Sequence, residues 1–244
     1  SIASFSASAF GEYFFGNAPA LFELSQQVPP LNEVLPILIL LGPAFAIVTV
    51  CFMIALRAAH NFAALNERHK IFLPFIAALI CGSVGVFLPE ILGLGIGAIN
   101  DLIAGNISLV KVSMLLMAKI SMTALCIGFG LFGGIFSPAL FIGVSAGSLA
   151  AGFFAAIGYP DLAQVIIISG MAAVAASVIG APITSVLIVL ELTGSYEYGV
   201  AAMVAVIISS LVTYRAFGLS FFDRQLLDRG IDMRQGRESI ALSQ

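Results

Sequence analysis

Long apolar runs separated by short polar stretches set the pattern of this 244-residue chain. Residues 1–15 read as the end of a helix. Residues 16–30, with Asn17, Pro19, Pro29 and Pro30, read as a loop. Leu31–Leu65 predicts a long helical region, broken or bent at Gly42-Pro43, that runs into the polar stretch Arg57, His60, Asn66, Glu67, Arg68, His69 and Lys70. Residues 71–99 form a second long apolar run with Pro89-Glu90 inside it. After a polar connection at 101–108, residues 110–127 form a third span carrying Lys111 and Lys119. An outer-membrane strand would alternate apolar and polar residues; these runs are continuous. The pattern therefore predicts an all-α polytopic membrane protein.

Two breaks interrupt the second half. The first is a glycine-dense hinge, Gly128 to Gly134, followed by Ile135-Phe136-Ser137-Pro138 and a helix over 138–157. Ser137 suits an N-cap, and Pro138 the first helical position, where its missing N–H has no intrahelical partner. Tyr159-Pro160-Asp161 turns the chain into an apolar helix over 162–179. Gly180-Ala181-Pro182 then breaks it, and the 12 residues Pro182–Thr193 are too few for a full span, which needs about 20. A last span covers 199–217. Amide N–H groups at a helix start are unpaired and carry partial positive charge, so they attract anions. In a bilayer, irregular backbone survives only where protein or a water-filled cavity covers it. Paired broken helices are thus a sequence pointer to a transport site, although a single Pro-kinked helix reads more simply as packing.

Composition sharpens the picture. Hydrophobic residues make up 60% of the chain and charged ones 9%, against about 25% charged in a soluble domain, and the mean hydropathy is +1.11. The net charge of −3 resides in loops and the C-terminal tail. No basic patch interleaves with aromatics, so no nucleic-acid partner is indicated. Cys51, Cys81 and Cys126 lie within apolar runs and read as small buried hydrophobes. Trp is absent, leaving Tyr and Phe to form any aromatic belt. Arg215, Arg224, Arg229, Arg234 and Arg237 follow the last span, which predicts a cytoplasmic C-terminus. The chain opens at Ser1 in an apolar stretch with no basic n-region, and is expected to begin partway through a larger protein.

Lys119 and Glu191 are ionisable residues at membrane depth and should not stand unpaired in lipid. A mutual pair, an aqueous vestibule or helix carbonyls would each satisfy them. Glu191, near the end of its short helix, and Glu90 read as structural. Gly143, Gly147 and Ala151 share one helix face at the spacing of close helix packing. His60 and His69 read as solvated; no metal site and no cofactor is predicted. No His/Asp/Ser constellation, His-Glu-x-x-His or phosphate loop occurs, so the chain does not read as an enzyme.

Gly134-Ile135-Phe136-Ser137-Pro138, Ala181-Pro182-Ile183-Thr184, Leu190-Glu191-Leu192-Thr193-Gly194 and Phe87-Leu88-Pro89-Glu90-Ile91-Leu92-Gly93 with Gly95-Ile96-Gly97 together resemble the CLC family of chloride channels and chloride/proton antiporters. The first resembles its G-x-F-x-P anion filter, the second and third its A-P-L-T and E-L-T-G signatures, and the last its F-P-E-x-L-G-x-G-x-G segment. The resemblance runs from Phe14 to Ile231 and covers the C-terminal half of an inverted-repeat fold. The G-S-G-I-P and G-x-E-G-P motifs of the family's first half do not occur here. A partner half of the same protein and a homodimer in a bacterial inner membrane are what the resemblance implies.

It also implies that the amides of Ile135 and Phe136 bind chloride within a filter motif that includes Gly134, Ser137 and Pro138. Two positions depart from the family pattern. Phe222, in Ser220-Phe221-Phe222, stands where the family's S-x-Y tyrosine holds the ion through its hydroxyl. Ala18, in Phe14-Phe15-Gly16-Asn17-Ala18-Pro19, stands where antiporters carry an inner proton-transfer glutamate. The expectation is chloride passage with a weakened anion hold and loose or absent proton coupling. Residues 1–218 are assigned to the transmembrane half and 219–244 to a C-terminal helix and cytoplasmic tail. The alternative is another broken-helix secondary transporter with an organic or cation substrate, ahead of a purely structural membrane subunit.

Overall fold

The computed structural model describes residues 29–65, 71–131 and 133–218. Among these the chain forms eight α-helices: α1 (Leu31–Leu65), α2 (Leu73–Phe87), α3 (Ile96–Ile103), α4 (Leu109–Gly128), α5 (Phe136–Ala156), α6 (Ala163–Ile179), α7 (Pro182–Thr193) and α8 (Tyr196–Phe217). No strand occurs among the described residues. Five helical segments, Leu31–Leu65, Leu109–Gly128, Phe136–Ala156, Pro160–Ile179 and Tyr196–Phe217, are long and apolar enough to cross a membrane.

α6 forms the centre. From Val165 through Val178 every residue is buried, as expected of a helix that is apolar all round. Its small residues let neighbours approach. A Cβ on Gly143 of α5 would lie 2.6 Å from the Gly170 carbonyl oxygen, and one on Gly147 would lie 2.6 Å from Ile167 Cα. The face of Gly143, Gly147 and Ala151 is therefore a packing face, as its spacing predicts. These pairs also make α5 and α6 antiparallel. α6 and α8 run parallel, because Tyr198 donates to Gln164 Oε1 at 3.1 Å near their starts and Ser177 meets Ser209 at 3.0 Å near their ends.

The starts of α1, α4, α6 and α8 meet at one end of the bundle, around a cavity of about 1140 Å³. The ends of α4 and α6 lie at the opposite end, where Gly128 abuts Ala59 of α1. The same end holds the starts of α5 and α7, so both sequence breaks share one level.

Two expectations are corrected, the break at Gly42-Pro43 and the burial of Cys51, and one apolar run resolves into separate elements. α1 is continuous through Gly42-Pro43, with Pro36 and Pro43 both inside it. Packing against neighbouring helices tolerates prolines that would end an isolated helix. Gly42 serves a different need, since a Cβ there would fall 2.6 Å from Ile208 Cγ2 of α8.

The run 71–99 is not one helix. α2 ends at Phe87, a 3-10 turn covers Pro89–Ile91, and α3 starts at Ile96. Pro89 pushes Leu88 out of the helical region, to φ −130° and ψ 73°. Gly93 (φ 60°) and Gly95 (φ 68°) then take left-handed conformations that reverse the chain.

Cys51 is not buried but exposed on α1, with Ile47 and Ile54 beside it. Apolar character does not signal burial on a helix that faces hydrocarbon.

Candidate anion site

The chain leaves α4 at Gly128, turns through Gly130 at φ 90°, and enters α5 at Phe136. The cap position is Ile135 (φ −89°, ψ −21°), without a side-chain cap hydrogen bond. Ser137 is therefore not the N-cap. It and Pro138 occupy the second and third helical positions. The start is set by the backbone turn after Gly134 rather than by a hydroxyl. Pro138 still costs no hydrogen bond, because the first four N–H groups of a helix lack intrahelical acceptors.

The first bond of the helix runs from Ala139 N–H to the Ile135 carbonyl at 3.0 Å. The amides of Ile135, Phe136 and Ser137 have no backbone acceptor among the described residues. The Ile135 side chain is buried, Phe136, Ser137 and Pro138 are half-buried, and Gly133 and Gly134 are exposed. A Cβ on either glycine would meet nothing within 4 Å. Three adjacent donors thus stand at the positive end of a 21-residue helix, next to two exposed glycines.

The second break behaves as its sequence predicts. Gly180 takes a left-handed conformation at the end of α6, Ala181 is the cap and Pro182 opens α7. Ser185 on its first turn is buried, and its hydroxyl has no hydrogen-bond partner.

Of the three arrangements open to Lys119, the structure takes the third. Lys119 is buried, 3% exposed as a residue, and its ammonium donates to the carbonyls of Ile91 at 2.7 Å and Gly93 at 3.1 Å. It does not meet Glu191, which is exposed. The non-helical backbone between α2 and α3 is thereby satisfied by a side chain from α4. The same ammonium lies over the Phe141 ring of α5, 4.8 Å from its centroid. Phe141 carries no sequence signal of this role; only a lysine in an apolar helix hints that some partner waits.

Glu90 accepts from Lys111 at 2.5 Å. That bond holds its carboxyl below the ordinary value of 4.5. This pair is structural, as expected for Glu90. His60 is exposed, and among the described residues no cluster of metal-ligating side chains occurs. Ala18, Phe222, His69 and the 219–244 tail lie outside the described residues.

A family profile described as voltage gated chloride channel matches residues 1–214. The chain is 32% identical over 219 residues to the H(+)/Cl(-) exchange transporter ClcA of Vibrio vulnificus, covering 87% of this chain and 46% of that protein. It is 36% identical over 121 residues to the transporter of the same name from Salmonella agona, covering 48% of this chain and 25% of that one. The chain thus spans about half the length of the Vibrio relatives it matches. In three dimensions it superposes on a slow cyanobacterial Cl-/H+ antiporter with a TM-score of 0.79 at 23% identity, covering 88% of this chain and 51% of that one. That likeness shows the fold, an all-helical membrane architecture of which this chain forms one half. With the profile match extending over most of its length, the chain belongs to the voltage gated chloride channel family.

Proposed function

We propose that this chain supplies one half of a chloride transport pathway, and that the anion is held by the amides at the start of α5. The single observation that carries the reading is the run of three amide donors, Ile135 to Ser137, left without backbone acceptors beside exposed glycines. An anion there gains charge-assisted hydrogen bonds from groups that the helix start already holds in place, with no cation buried at the contact. Gly134 lets the ion approach the backbone, and Pro138 fixes the first turn without competing for it.

Phe222 and Ala18 set the expected character of the flux. A missing hydroxyl removes one of several bonds to a charged ligand, about 1.5–3 kcal/mol, so chloride is held more weakly but still held. Alanine carries no proton, so proton exchange through that position does not occur. The C-terminus faces the cytoplasm, given five arginines from Arg215 onward. The relatives named exchange transporters match this chain over half their length, so a complete pathway needs a first repeat. Two copies per assembly follow the family resemblance, and no enzymatic step or cofactor is needed.

The test uses the full-length protein in liposomes. Gly134→Leu, which leaves the amides and the helix start in place but puts a side chain where the ion must approach, should abolish isotopic chloride uptake, whereas F222Y should tighten chloride binding about ten-fold or more. The reversal potential under opposed chloride and pH gradients should follow chloride alone. Unchanged uptake in Gly134→Leu refutes the site, and sodium-dependent uptake would favour the other transporter class.

A further inference from the structure

We propose that Lys119 is a positioning residue for the anion-binding helix, locking α5 in place through the face of Phe141. The inference rests on the anion-site reading above and adds what holds that site at its depth. Three observations converge on one point. Lys119 is buried in α4 and its ammonium is fixed by two carbonyls of the 3-10 turn and the glycine reversal, Ile91 and Gly93. Phe141 is fully buried on α5, its ring under that ammonium. On the break itself, a Cβ on Gly95 would fall 2.9 Å from Phe141 Cδ2 and Cε2. The ring is thus confined between the charge of one helix and the backbone of an irregular segment.

That confinement matters because of where Phe141 sits. It lies five residues after Phe136, roughly 7.5 Å along the helix axis. The helix transmits any slide or rotation at Phe141 to the amides with little loss, because it is a rigid hydrogen-bonded rod over that distance. The α5–α6 glycine contacts fix how close the two helices lie. They leave sliding along the contact comparatively free, since glycines present no side chain to interlock. The Lys119–Phe141 contact supplies the missing stop. A neutral side chain of the same length would leave two carbonyls unpaired at membrane depth and remove the attraction to the ring.

The experiment measures the half-saturating chloride concentration of uptake by the full-length protein in liposomes, for K119M, K119R and F141L. That concentration does not depend on how much protein assembles, so a purely structural loss lowers only the maximal rate. K119M and F141L should each raise it at least five-fold, about 1 kcal/mol, which one cation–π contact is large enough to supply. K119R, which keeps charge, donors and ring contact, should stay within about two-fold of the parent. F141L keeps the ammonium and both carbonyl bonds, so it tests the idea even if K119M fails to assemble. Wild-type half-saturation in F141L overturns the proposal, including when K119M alone is weakened, since charge rather than position would then act. If Gly134→Leu loses uptake while F141L and K119M bind normally, the anion site stands and only this inference falls.

Discussion

Gly143→Ala is the most direct probe of how packing sets the proposed anion site. The added Cβ would lie 2.6 Å from the Gly170 carbonyl oxygen and 2.7 Å from Met171 Cα, about 0.8 Å short of the 3.4 Å at which ordinary contact begins. Both neighbours are backbone atoms of the fully buried α6, so no rotamer change relieves the clash. α5 must move outward or tilt. Overpacking of this kind costs about 1–3 kcal/mol. Gly143 lies seven residues from Phe136, roughly 10 Å along the axis, so the displacement reaches the amide cluster. A hydrogen bond to a charged ligand contributes about 1.5–3 kcal/mol; stretching one or two of them by several tenths of an ångström should weaken chloride binding about ten-fold.

The assay pairs thermal unfolding in detergent with calorimetric chloride titration. Gly82→Ala on α2 is the control, because a Cβ there meets nothing within 4 Å. It should be neutral or stabilise by about 0.5–1 kcal/mol, through the smaller entropy lost by alanine in a helix. If Gly143→Ala melts and binds like Gly82→Ala, the reasoning that glycine contacts set how closely α5 lies against α6 is wrong.

Two further expectations follow from polar contacts. Ser177→Ala and Ser209→Ala each remove a buried hydroxyl pair between α6 and α8, and a double-mutant cycle on thermal stability should give a coupling of about 0.6 kcal/mol; a coupling of zero would make the contact incidental. Lys111 and Glu90 are 45% and 24% exposed, so solvent screening limits their coupling to about 0.2–1 kcal/mol. Because Glu90 titrates below its ordinary value of 4.5, the pair contributes fully above that pH and is lost as pH falls below it. Melting curves of the parent and E90Q should therefore converge on acidification; a gap that widens instead would contradict the sign.

Much of the fold was legible from local chemistry. Run length fixed the long spans, and Gly180-Ala181-Pro182 marked the second break because a left-handed glycine and a proline act within a few residues of themselves. The motif around Phe136 was legible for the same reason: unpaired amides are a property of any helix start. The details that depend on distant neighbours were not. Ser137 has the side chain of a cap but not the place, since the preceding backbone turn sets the start.

Local chemistry alone marked this as a helical membrane protein with two interrupted helices, the first restarting near Ser137-Pro138. Packing settled that α1 starts before Gly42-Pro43 and continues beyond it, that Gly143 and Gly147 let α5 lie against α6, and that Lys119 meets two carbonyls and Phe141 rather than Glu191. The division has a physical cause. Chain stiffness, missing N–H groups and run length act locally. The partner of a buried charge, and the fate of a proline within a helix, depend on which neighbour packs alongside. In hydrocarbon that choice falls to shape and hydrogen bonding, because apolar surface no longer separates inside from outside.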